Sequence, residues 1–448
     1  MRMKRFTTVL ILAALAITSS GAGQTLQAEE LTLDQCIDIA LENNGSREYG
    51  LPSARESYHR SKQGVWSAWG DFLPSLSHGY SYRHTRFGDE TYDPTTGQFI
   101  RIPEPAQTST SWSNNFTLSQ TFFDGGANFY RIAQSYHSRA AQEENVRGAE
   151  NDLILGVKEG YFNLLKSQKL VEVQEAAVER AEEFLKTIES RYELGSASLS
   201  EVLKARVQLG TEQLELLRRE NDVEVGRAGL NTILNRSVGT EITVSDISGE
   251  EPEVMSYQEA AEQALERSPA VQIARANTRI AKDDIGIARA TLFPSFSWSI
   301  SRSFSPRERN DLLDFDGRFA TWGISASLNF SLFNGFHRKT AISNAQVGIK
   351  YTSEQLEQAE KAVAFAVKQA HLGVELADET RNLAEQTEVS AQEDFNLAQE
   401  KYNLGAATIL DLLDAQVSLT RAQNDRVNAL FDYLIAVARL ENAVGVRR

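Results

Sequence analysis

"RYELGSASLSEVLKARVQL" (Arg191–Leu209) and "KYNLGAATILDLLDAQVSL" (Lys401–Leu419) agree at eight of nineteen positions and lie 210 residues apart. In each, a glycine ends a long charged helical pattern. Gly195 and Gly405 suit a left-handed helix C-cap, where a Cβ would cost energy. Ser198-x-x-Glu201 and Thr408-x-x-Asp411 then read as capping boxes that start a return helix. The chain therefore spells the same helix–turn–helix twice.

The repeat extends outward from these turns. "LTLDQCIDIAL" (Leu31–Leu41) answers "MSYQEAAEQAL" (Met255–Leu265), "FLPSLS" (Phe72–Ser77) answers "LFPSFS" (Leu292–Ser297), and "FFDGG" (Phe122–Gly126) answers "LFNGF" (Leu332–Phe336). Each half reads helix, proline, strand, loop, strand, glycine, very long helix, turn, helix. The expected organisation is a first repeat over 29–237, a linker over 238–254 with one short strand candidate, and a second repeat over 255–448.

The strands alternate with period two. The expected hairpins span about 75–123 and 295–333. One face carries Leu76, Tyr80, Tyr82, Phe116, Leu118 and Phe122, then Phe296, Trp298, Ile300, Trp322, Ile324, Leu328, Phe330 and Leu332. The other face is serine, threonine, asparagine and glycine. A soluble two-sheet sandwich would also show such alternation. A membrane barrel fits it with lipid on the apolar face and a wet lumen on the hydroxylated one. Four strands cannot close a barrel, and lipid tolerates no open edge, so this second reading requires several copies.

The expected long helices, about 128–192 and 338–402, contain no proline and are rich in Ala, Glu, Gln, Leu, Lys and Arg. The return helices are expected over about 199–237 and 409–444. Sixty-odd residues make about 100 Å of helix at about 1.5 Å per residue. Leu170, Val173, Ala177, Ala181, Leu185, Ile188 and Tyr192 recur at threes and fours, which is a coiled-coil stripe.

Composition narrows the partners. The 448 residues carry a net charge of −15, which argues against nucleic acid. Arg2, Lys4 and Arg5 precede an apolar run, Phe6–Ile17, and then small residues, so residues 1–28 read as a signal peptide cleaved after Ala22 or after Ala28. Cys36 is the only cysteine, so no intrachain disulfide forms. No nucleotide-binding or zinc-protease motif occurs, and the six histidines show no ligand spacing. No catalytic residue, cofactor or metal is expected.

The paired "YxLG" turns, the "LPS/FPS" and "DGG/NGF" junctions and the repeat order resemble the TolC family of outer-membrane efflux proteins over essentially the whole mature chain. The resemblance implies an α+β membrane protein. Its homotrimer would share a twelve-stranded β-barrel, four strands per chain, continued by a twelve-helix coiled-coil tunnel in the periplasm. It also implies a periplasmic adaptor, an inner-membrane transporter driven by protons or ATP, and export of small molecules or polypeptides from a Gram-negative cell. The competing reading is a soluble periplasmic coiled-coil scaffold.

The same resemblance maps two aperture aspartates onto Asp411 and Asp414. In the family a tyrosine, an acid and an arginine latch the aperture. Tyr402 and Glu201 match the first two, whereas Ala407 stands at the arginine position. Asp411 and Asp414 share a helix face at i and i+3, and threefold symmetry would stack them as two acidic rings. Gly195, Ser196, Ala197, Leu199, Gly405, Ala406, Ala407 and Ile409 are the expected adaptor contacts at the tips.

Overall fold

The computed structural model describes residues 29–44, 51–103, 108–246, 254–305 and 320–445. The expected signal segment lies outside the described residues, as do 247–253 of the expected linker and 306–319 within the second expected hairpin.

Two helices dominate. Helix α3 (Ala127–Glu193) and helix α7 (His337–Asn403) each run 67 residues. They extend one residue beyond the expected bounds at either end. Before them in chain order come β1 (Glu29–Leu31), α1 (Leu33–Asn43) and α2 (Leu51–Gly70). Four strands separate α2 from α3: β2 (Ser75–Arg86), β3 (Glu90–Asp93), β4 (Gln98–Arg101) and β5 (Thr108–Asp124). After α3 come α4 (Leu199–Ile233), β6 (Ile242–Val244), α5 (Tyr257–Arg267) and α6 (Pro269–Ala290). Then β7 (Ser295–Phe304) and β8 (Ala320–Asn329) precede α7, and α8 (Ile409–Val444) closes the chain.

Several details differ from the sequence expectation. Two helices, not one, precede each strand pair; Pro269 at the first turn of α6 marks the second break. Within the first expected hairpin, between β2 and β5, β3 and β4 pair as a small hairpin of their own with Tyr92 against Phe99. Strand β8 ends at Asn329, so Phe330 and Leu332 lie beyond the strand, although both stay exposed. The first return helix stops at Ile233, four residues early, where Asn235 takes a left-handed φ of 53°.

The four long strands form one antiparallel sheet in the order β2-β5-β7-β8. Phe122 is the extra residue of a bulge between Thr121 and Phe123, and its ring stacks on Phe296 at 6.1 Å. Hydroxyls pair across the other face: Ser75 with Ser119 at 3.0 Å, Ser81 with Ser113 at 2.7 Å, Ser299 with Ser325 at 2.8 Å.

Two apolar clusters hold the helices near mid-length. In the first, α1 lies on α3, with Leu31, Cys36, Ala40, Val157, Tyr161, Leu230, Leu234 and Ile242 buried. Strand β6, in the expected linker, pairs in parallel with β1, and the Tyr161 hydroxyl donates to the Ser245 carbonyl at 2.7 Å. Asn43 and Asn44 donate to the carbonyls of Leu234 and Ile233, capping the end of α4. In the second cluster α5 lies on α7 and α8, burying Ala260, Ala264, Val367, Tyr433 and Val437.

The coiled-coil stripe is only partly sealed within one chain. Leu170, Ala177, Ala181 and Ile188 are buried on α3. By contrast α7 buries only Val363, Val367 and Val374, and leaves Phe365, Leu372, Leu376, Leu383 and Leu397 exposed.

The joint between sheet and helix is tight. Gly125 takes φ +76°, and a Cβ there would lie 2.1 Å from the Ala290 carbonyl oxygen at the end of α6. Gly125→Ala therefore meets both backbone strain and a backbone clash, and should cost about 2–4 kcal/mol, read as a lowered unfolding midpoint in detergent. Gly126→Ala, with open space around it, should cost less. Burial pushes the Cys36 thiol up to about 11. Maleimide at pH 8 should leave it unmodified in the folded protein and label it fully in guanidinium.

The helical tips as candidate functional site

Both turns are built the same way. At the first, Ser196 N–H reaches the Arg191 carbonyl at 2.8 Å and Gly195 N–H reaches Tyr192 at 2.9 Å. At the second, Ala406 N–H reaches Lys401 at 2.8 Å and Gly405 N–H reaches Tyr402 at 3.1 Å. This pair of bonds satisfies the last carbonyls of each helix, and it needs the left-handed residue that Gly195 (φ 74°) and Gly405 (φ 73°) supply.

The return helices start on capping boxes. The Ser198 N–H donates to Glu201 Oε2 at 2.6 Å, and Ser198 Oγ accepts from Glu201 N–H at 3.3 Å. Thr408 N–H and its hydroxyl both donate to Asp411 Oδ2 at 2.8 Å. The Ser198 backbone N–H, then its hydroxyl and Tyr402, hold the Glu201 carboxyl below the usual carboxylate range. The Thr408 backbone and hydroxyl do the same for Asp411.

The tips are joined by a residue that sequence reasoning passed over. Arg191, at the end of α3, lies over the Tyr402 ring at 5.5 Å and donates to Asn403 Oδ1 at 2.9 Å. Tyr402 stands beside the Glu201 carboxylate and meets Phe184 edge-on at 6.0 Å. Burial, then the nearby Glu201 carboxylate, push the Tyr402 phenol up. Arg191, Glu201 and Tyr402 thus link α3, α4 and α7. The signal was available: Arg191 opens the quoted stretch, with Lys401 at its counterpart.

Asp411 and Asp414 are both exposed on α8. Asp414 makes no ion pair with the described residues. Gly195, Ser196, Gly405 and Ala406 are exposed, and Ala197 and Ala407 half-buried. Leu194, Leu199 and Leu404 stand out at 83, 55 and 84% exposure. Ile409 does not: it is buried at 6%, because its side chain turns inward from the first residue of α8. As an exposed tip contact it is replaced by Leu410, at 52%.

Among the described residues no three His, Cys, Asp or Glu side chains could hold a metal ion. No helix among them is long and apolar enough to cross a membrane.

A sheet apolar on one face and hydroxylated on the other, borne on paired helices of about 100 Å, defines an outer-membrane channel with a helical stalk. The family model described as "Outer membrane efflux protein" matches residues 51–236 and again 260–446. The chain is 23% identical to the outer membrane protein TolC of Vibrio cholerae over 302 residues, 66% of this chain and 68% of that one. It is 23% identical to the alkaline protease secretion protein AprF of Pseudomonas aeruginosa over 383 residues, 84% and 77% of the two chains. Its fold matches the crystal structure of CusC with a TM-score of 0.77 at 18% identity, covering 95% of each chain. The chain belongs to the outer membrane efflux protein family and is an export channel of the outer membrane.

The capping carboxylates set a pH window for the tips. Glu201 titrates below its ordinary value of 4.5, so its contribution is fully present above that pH and is lost as pH falls through the lower folded-state value. A spin label on Ser196→Cys should stay ordered at neutral pH and become mobile only as the pH is taken well below 4.5. With Glu201→Ala added, it should be mobile throughout.

Proposed function

We propose that three copies of this chain close a twelve-stranded barrel and a twelve-helix tunnel, and that the second tip, around Asp411 and Asp414, forms the periplasmic aperture. The observation that carries this is the pair of unfinished edges. Strands β2 and β8 border the sheet and run in opposite directions, so a head-to-tail ring keeps every neighbour antiparallel. The helix layer has two matching edges. On α4 Leu203, Val207, Leu214 and Leu217 are exposed at heptad spacing, and α7 exposes Phe365, Leu372, Leu376 and Leu383. Such stripes want a coiled-coil partner, and each edge supplies what the other lacks. Two chains would give eight strands and a side-chain-filled interior; three give a lumen.

On this reading the two halves are structural repeats joined by the linker 238–254, and the hydroxyl ladder lines the duct. The apolar face, including Phe296, Trp298, Ile300, Trp322, Ile324 and Leu328, meets lipid. The exposed leucines with small Ser196 and Ala406 beside them suit close docking of an adaptor's helices. An inner-membrane transporter supplies the energy, driven by protons or ATP. The chain contributes passage and gating, and no catalysis. The cargo is a small molecule or a polypeptide. The secretion protein AprF and the pyoverdine export protein OpmQ of Pseudomonas putida bear the two kinds of name among its relatives.

The gate is held by Arg191, Tyr402 and Glu201 within each chain. Ala407 cannot supply the charge that relatives place there, so Arg191 takes over from a different helix. Asp411 and Asp414, tripled by symmetry, draw cations to the narrowest point.

Two outcomes test this in planar bilayers. Tyr402→Ala should raise the closed-state conductance several-fold, and a conductance indifferent to it would count against the clasp. Asp411→Asn with Asp414→Asn should remove most of the cation preference while leaving a trimer by native mass spectrometry. A mature protein recovered as a soluble monomer would sink the duct altogether.

A further inference from the structure

The outward face of the sheet changes character at one row. Rows follow from the register: Leu76, Leu118, Ile300 and Ile324 lie side by side across the four strands and are wholly apolar. The next row toward the far-end loops is His78, Phe116, Arg302 and Trp322. Beyond it come Tyr80 with Asn114, then Tyr82 with Trp112. The alternation that makes this face apolar is thus broken by a cation where an aromatic belt begins.

Arg302 is held but not neutralised. Its guanidinium lies 4.5 Å from the Phe304 ring centroid and 4.9 Å from that of Trp322. Its Nε is buried without a hydrogen-bond partner, and no carboxylate among the described residues pairs with it. On the same row His78 stacks on Phe116 at 4.5 Å and shares a hydrogen bond of 2.6 Å with the buried Asn114. An arginine on the lipid face is costly at the bilayer midplane and nearly free at the interface. An orphan guanidinium fixed between aromatic rings there is pre-shaped for an oxyanion, since its fork matches phosphate.

The geometry points to a binding site for the phosphate of an outer-leaflet lipid headgroup, built by Arg302 between Trp322 and Phe304 and flanked by His78. This rests on the barrel reading, which turns the face to lipid. A second copy of the chain is not the occupant, because Arg302 sits on β7, an inner strand, and neighbouring copies meet β2 and β8. Charge complementarity selects the ligand: among the described residues the face carries a cation with no counter-ion, at the height where headgroups begin.

The test uses the full chain in phosphatidylcholine nanodiscs doped with lipid A or with its dephosphorylated form, bound lipid being counted by native mass spectrometry. The wild type should retain the phosphorylated form about tenfold better. Arg302→Gln should abolish the preference, and Arg302→Lys should keep part of it, because a point charge lacks the fork. An Arg302→Gln channel that inserts and conducts normally with the preference intact overturns the site and leaves the channel reading standing. Displacement of the lipid by millimolar inorganic phosphate overturns it in favour of a free-anion site. Failure of the wild type to enter bilayers overturns the barrel reading, and the site with it.

Discussion

A four-stranded sheet has two edges, and hydrocarbon offers neither of them a hydrogen-bond partner. In this chain those edges are β2 and β8, and they point in opposite directions. Nearly everything else follows from that constraint. In the proposed assembly copies close the sheet, they meet head to tail, and the helices that continue the strands are brought into a ring whether or not they would assemble alone. The exposed stripes of α4 and α7 would then find partners already aligned by the barrel.

The joints transmit this order. Gly125 presses against the end of α6 so closely that no side chain fits, which fixes strand β5 to the helix layer at one angle. The second joint works differently. Phe336 takes φ +67° where the first half uses Gly126, a conformation that L side chains adopt at a cost, and its ring is held edge-on against Phe333 at 5.6 Å. One junction is relaxed by glycine and the other is steadied by aromatic contact.

Much of this was legible in the residues. The long helices were bounded to within a residue because proline-free, Ala- and Glu-rich sequence ends at glycines whose left-handed φ nothing else supplies cheaply. The strand faces were legible because period two is unambiguous when one face is aromatic and the other hydroxylated. What escaped depends on contacts distant in sequence. The linker's strand candidate is β6, but its partner β1, three residues too short to announce a strand, lies 213 residues away, Glu29 against Ile242. Arg191 stands in the repeated turn, but its contact with Tyr402 lies across the chain and no local pattern marks that partner. Ile409 counted as an exposed anchor by position, yet the capping box that precedes it turns its side chain inward.

His78, Asn114 and Arg302 escaped for the opposite reason: they lie in plain view inside the alternating pattern. Selecting the apolar members of a face hides the polar ones, and in a membrane sheet those are the informative residues. A polar side chain on a lipid face is costly at the midplane, so its place marks the level at which water or headgroups begin. On the proposed barrel the row of Arg302 would set the outer limit of the hydrocarbon zone, within which Gln120, beside Trp298, satisfies its amide on the Phe72 carbonyl. The row of Phe296 and Leu328 opens it at the helix end of the sheet, three rows away. Rows two residues apart climb about 5 Å each in strands tilted near 40°, which gives roughly 15 Å between those rows. A hydrophobic band is about 25 Å tall. The missing height is supplied below the strands by Phe293, Phe330 and Leu332, all exposed at the joints. On the proposed barrel the residues just past β8 would belong to the lipid-facing surface although they belong to no strand.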